Sequence, residues 1–85
     1  MPPTADEFRS ALRARLAEAE QAGETEIVIK AGELHRSVGG YPGPDHRMPV
    51  CCSVMRNMMN ARDQVMHKPE SGLGASLEIR FVLPR

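Results

Sequence analysis

The chain has 85 residues and a formal net charge of zero, with eleven basic and eleven acidic side chains. That length is enough for one domain, 1–85, with a core small enough that stability is modest. Zero net charge does not by itself favour a nucleic-acid partner, and no apolar run approaches the roughly 20 residues of a membrane span.

The N-terminal MPPTADEF is too polar for a signal peptide, and the two cysteines are adjacent, with no third to pair with. A reduced, cytoplasmic protein without membrane contact is expected. Charge is unevenly placed. Residues 1–33 hold seven acids against four bases, and residues 34–85 hold seven bases against four acids. Such asymmetry marks a candidate binding face in the second part. Only Phe8, Tyr41 and Phe81 are aromatic, so six methionines must help fill the core.

Thr4-Ala5-Asp6-Glu7 reads as a capping box that starts a helix, and Asp6 and Glu7 complement its positive end. Ala5, Phe8, Leu12, Leu16 and Ala19 then make one apolar stripe, and Gly23 is a natural stop, so the helix spans about 5–22. Glu26-Ile27-Val28-Ile29-Lys30 is a short β-branched strand signal. Leu34 and Val38, four apart, mark a short helix from 31 or 32, ended by Gly39-Gly40. Residues 39–47, GGYPGPDHR, read as a loop of consecutive turns.

Residues 48–60, MPVCCSVMRNMMN, form the stretch around which the chain is organised. Pro49 suits the first turn of a helix over 49–60. Val50, Cys51, Val54, Met55, Met58 and Met59 fall on one face, and Ser53, Arg56, Asn57 and Asn60 on the other. Arg and Asn are side chains suited to guanine and adenine edges in a major groove. Two strand-like segments follow, 63–68 and 76–83. In the second, Leu77, Ile79, Phe81 and Leu83 alternate with Glu78, Arg80 and Val82, the pattern of a half-buried antiparallel strand. A Gly-containing loop, 69–75, joins them as a hairpin.

The predicted class is α+β, in the order helix, strand, short helix, loop, helix, strand, loop, strand. This order, with the phrase IVIKAGELHRSVGG, resembles the winged helix-turn-helix superfamily over about residues 5–84. The loop before 49–60 is longer than the usual turn between the two helices. The resemblance implies that helix 49–60 is a recognition helix, with Ser53, Arg56, Asn57 and Asn60 facing bases. It also implies that Arg47, Lys68 and Arg80, with Arg36 and His46, meet the phosphates of double-stranded DNA, the hairpin acting as a wing. Lys and Arg neutralise phosphate, and helix N-termini favour it. A transcriptional or DNA-transaction regulator, with a homodimer as one form, is therefore expected; the alternative is a winged-helix interaction module or subunit that docks on a protein partner without DNA contact. Glu70, Glu78 and Asp45 speak for the alternative, since a DNA-binding face is more basic.

No catalytic constellation or cofactor motif is legible, so no enzymatic activity is expected, and GGYPGPD lacks the ending of a phosphate-binding loop. His35, His46, Cys51, Cys52 and His67 do not follow structural-zinc spacing, and no metal is expected. Cys51 reads as packing. Cys52 reads as partly exposed near a helix N-terminus, where a lowered pKa would make it a reactive thiol.

Overall fold

A computed structural model describes residues 3–39, 43, 47–70 and 74–85. Tyr41, Asp45 and His46 lie outside the described residues, as do most of the 39–47 loop and the middle of the 69–75 loop. The described elements are α1 (Ala5–Gln21), β1 (Glu26–Lys30), α2 (Ala31–Val38), α3 (Met48–Asn57), β2 (Gln64–His67) and β3 (Glu78–Val82). The three strands form one antiparallel sheet in the order β1-β3-β2, and the fold class is α+β. Among the described residues no helix is long and apolar enough to cross a membrane.

The local signals at α1 act as expected. The Glu7 N–H donates to Thr4 Oγ1 at 3.2 Å, and the Thr4 N–H donates to Glu7 Oε1 at 3.0 Å, which closes the capping box. At the other end Gly23 takes φ +83°, and the Glu24 N–H reaches the Ala19 carbonyl while the Gly23 N–H reaches that of Glu20. That is a Schellman stop, which needs the left-handed residue glycine supplies. Phe8, Leu12, Leu16 and Ala19 are buried by the helix between these caps.

No side chain caps α2. Its first N–H groups are taken up by the strand entering β3: Ala31 donates to the Leu77 carbonyl at 2.8 Å and Gly32 to that of Ala75 at 2.9 Å. Gly32 permits this approach, since a Cβ there would lie 3.2 Å from both Ala75 Cβ and Ala75 O. The sheet's inner face is the expected alternation, with Ile29, Leu77, Ile79, Phe81 and Leu83 buried against the helices. In β2 the alternation fails. Val65 pairs with Ile79 and His67 with Glu78, so Met66 is an extra, bulged residue.

Helix α3 ends at Asn57, three residues short of the expected Asn60. Asn60 instead opens a turn. Its N–H donates to Asp63 Oδ2 at 2.8 Å, and its Oδ1 accepts from the Arg62 N–H at 2.9 Å. Asn and Asp side chains compete with the helix for backbone groups, and here they win because Asp63 has further partners. Asp63 Oδ1 accepts from the Val82 N–H at 2.8 Å and from Arg85 Nη1 at 2.9 Å. Arg85 in turn donates to the Met58 carbonyl through Nη2 at 2.6 Å and lies over the Phe81 ring. Its backbone N–H donates to Glu20 Oε1 at 2.6 Å. One cluster thus joins α1, the end of α3 and β3.

The Asp63 side chain is fully covered. Burial alone would raise its pKa, but the Val82 and Asn60 N–H groups and Arg85 outweigh burial and lower it. A carboxylate depressed below its ordinary value near 3.8 stabilises the fold fully above that pH and ceases to do so as pH falls through the depressed value. Asp63→Ala is expected to lose about 2–3 kcal/mol at neutral pH, by removing the carboxylate that accepts from the Val82 and Asn60 N–H groups and from Arg85. In denaturant titrations from pH 7 to pH 2, Asp63→Asn should show a smaller acid-dependent loss than the parent below about pH 4. Equal acid sensitivity would show that Asp63 does not carry it.

Candidate nucleic-acid interface

The surface of interest is the outward side of α3. Its inward side is set by Met48, Cys51, Cys52, Val54 and Met55, all buried. Two features pin the start of the helix against the rest of the fold. His35 on α2 is fully buried, and its Nε2 accepts the Arg47 N–H at 2.6 Å. That bond needs a lone pair on Nε2, which assigns the proton to Nδ1. The His35 ring meets Phe8 of α1 edge-on, with centroids 4.9 Å apart. So α1, α2 and the first residue before α3 are linked through one imidazole. The second pin is the cysteine pair. Cys51 Sγ donates to the Ala31 carbonyl at 3.6 Å, and Cys52 Sγ donates to the Gly74 carbonyl at 3.4 Å. The two thiols diverge by one helical step, so one holds α2 and the other holds the base of the β2–β3 hairpin.

These pins turn Ser53 and Asn57 outward, where both are exposed, with Arg56 half-buried beside them. Arg47 is exposed just before the helix. No carboxylate lies in α3. The acid that follows it in sequence, Asp63, is turned inward to Asn60, Val82 and Arg85. Lys68 is exposed where the chain leaves β2, on the hairpin whose other limb touches Cys52. Arg36 is exposed on α2 and lines a groove of about 330 Å³ with Lys30, Gly32, Glu33, Ala75 and Ser76.

Of the expected contact residues, the structure brings Ser53, Arg56 and Asn57 onto one helix, with Arg47 just before its first turn. It does not bring Asn60 there, since Asn60 lies in the turn and its Oδ1 is engaged by Arg62. Nor does it bring Arg80. Arg80 alternates with the buried Ile79 and Phe81, so it stands on the sheet face turned away from the helices. There its Nη2 donates to Gln64 Oε1 at 3.3 Å, and its Nε lies 3.8 Å from Glu26 Oε2.

Cys52 is also a correction. It is fully buried, not partly exposed, and burial raises its pKa, an effect the nearby Arg56 only partly opposes. Burial and then the neighbouring Cys52 push the Cys51 thiol up to about 12. The favourable end of a short helix loses to desolvation at both positions. Among the described residues no three His, Cys, Asp or Glu side chains gather as metal ligands.

The residues that position this surface, His35, Asp63 and Arg85, carried weak signals in the sequence. Asn60-x-x-Asp63 is turn chemistry and was open to that reading. Nothing local to His35 or Arg85 reveals partners twelve or more residues away. No family model, curated protein or solved structure matches the chain.

Both thiols should resist a small thiol reagent in the folded protein at mildly alkaline pH and react fully once it is unfolded by denaturant. Rapid native labelling of either cysteine would contradict the buried, hydrogen-bonded placement.

Proposed function

We propose that the protein binds double-stranded DNA as a winged-helix module, with the outward side of α3 in the major groove. The observation that carries this reading is the composition of that side. Ser53, Arg56 and Asn57 project from a helix without a carboxylate, and Arg47 stands before its first turn. Arg and Asn offer paired donors and acceptors that match guanine and adenine edges. A helix of this width fits a major groove, and its base-reading groups must be held rigidly to discriminate. The hydrogen bonds to His35 and Gly74 at one end of α3, and to Arg85 at the other, supply that rigidity. The element order on which the winged-helix resemblance rested is also present: helix, strand, helix, helix, strand, strand.

Phosphate contacts in this reading come from Arg47 and Lys68, with Arg36 at the margin. Arg80 and Asn60 are not used, since one lies on the far side of the sheet and the other is bound within its turn. The contact set is therefore smaller and less basic than that of a strongly electrostatic binder, and a neutral chain attracts DNA only through this local field.

The test is titration of labelled duplex DNA of mixed sequence at about 50 mM and about 150 mM salt, where phosphate-driven binding must fall steeply. A salt-sensitive complex is expected. Once a preferred sequence is selected, Arg56→Ala should cost about 1–3 kcal/mol there, while Lys68→Ala should weaken all sequences alike and reduce the salt slope by about 1. Arg80→Ala should leave binding unchanged. No complex at the lower salt would overturn the DNA reading and favour a module that docks on a protein.

A further inference from the structure

We propose that the free edge of β1 is a self-complementary interface, through which two copies of the chain pair as antiparallel strands into one six-stranded sheet. Pairing through this edge does not require DNA binding.

In a sheet ordered β1-β3-β2, both β1 and β2 are edges. Edges invite strand addition, and proteins normally blunt them. The β2 edge is blunted by the bulge at Met66 and by Pro69 two residues past the strand. The β1 edge has no bulge, no proline and no glycine in Glu26-Ile27-Val28-Ile29-Lys30.

The hydrogen-bond phase of β1 decides which of its groups face outward. Leu83 donates to the Thr25 carbonyl and Ala31 donates to the Leu77 carbonyl. In an antiparallel ladder, alternate residues bond to one neighbour, so Thr25, Ile27, Ile29 and Ala31 face β3. Glu26, Val28 and Lys30 point their N–H and C=O groups away from the sheet. Beyond the sheet, no described residue makes a backbone hydrogen bond to Glu26 or Val28.

A two-fold axis through Val28 satisfies backbone and side chains together. Val28 faces Val28 of the second copy and the two exchange both backbone bonds. On either side, the Lys30 N–H meets the Glu26 carbonyl. The side chains of these residues share the outer face of the sheet. Val28 is 44% exposed, large for a valine at the middle of a strand, and would be covered by its own counterpart. Glu26 of each copy would lie opposite Lys30 of the other, and both are exposed in the single chain. A shift by one residue would put outward groups against none, and a shift by two would put Val28 against a charge. The charge pattern therefore selects this occupant and this register: a second copy is complementary because the strand is acidic at one end and basic at the other.

The symmetry makes the test sharp. Analytical ultracentrifugation of the full chain over a concentration series should show a monomer–dimer equilibrium. Glu26→Lys alone, or Lys30→Glu alone, converts both cross-strand pairs to like charges and should weaken association about tenfold or more. An equimolar mixture of the two single variants should recover dimers, because each supplies the charges the other lacks. The double variant Glu26→Lys/Lys30→Glu should also dimerise. Val28→Pro gives a second check, since it removes an N–H that faces outward and spares the internal ladder. With an unchanged circular dichroism spectrum it should be monomeric. A parent chain that stays monomeric at high concentration would overturn the proposal. So would single charge variants, or a folded Val28→Pro, that dimerise as strongly as the parent.

Discussion

The Asp63 carboxylate is the constraint on which the rest of the arrangement depends. A covered carboxylate is tolerable only where several donors surround it, and Asp63 has the Asn60 and Val82 N–H groups and the Arg85 guanidinium. Those donors come from the turn after α3, from β3, and from the residue that also binds Glu20 of α1 and the Met58 carbonyl just past α3. Apolar burial of Phe8, Leu12, Ile79, Phe81 and their neighbours supplies most of the driving force for collapse. Burial is not directional, however, and many packings of the same side chains would satisfy it. The charged cluster adds direction, because it is satisfied only where all three donors lie within reach of one carboxylate.

At the opposite end of α3 the same division of labour recurs with neutral groups. His35 takes the Arg47 N–H, and the thiols of Cys51 and Cys52 reach carbonyls in α2 and the hairpin. A helix of ten residues is too short to be stable alone and owes its existence to these contacts. Fixed at both ends and packed along one side, it presents Ser53, Arg56 and Asn57 in a defined direction. The helix itself carries no carboxylate, although the whole chain is neutral. Local field, not net charge, then governs what approaches it.

The two sheet edges differ for a related reason. The bulge at Met66 re-aims β2 just before the hairpin loop and spoils its ladder for an incoming strand. At β1 the strand runs straight into α2, whose first N–H groups are held by Leu77 and Ala75, so its pairing remains regular to the end. Regularity and alternating charge together make β1 the more receptive edge.

The amino-acid sequence by itself determined the elements and their order. The Thr4–Glu7 capping box, Gly23, Pro49, the β-branched run at 27–29 and the alternation from Leu77 to Leu83 all act within a few residues, so their outcome is set before the chain collapses. Only the tertiary structure decided where α3 ends, which face Arg80 occupies, and that Cys52 is sealed. In each case a partner distant in sequence outbids the local preference. Arg85 takes the Met58 carbonyl near which α3 stops, the register with β1 and β2 turns Arg80 to Glu26 and Gln64, and Gly74 closes over Cys52. Periodicity could place Ser53, Arg56 and Asn57 on one side of a helix, but it carried no information about His35, Asp63 and Arg85, which hold that side in place. Their roles arise from donors and acceptors that meet only when the helices pack on the sheet.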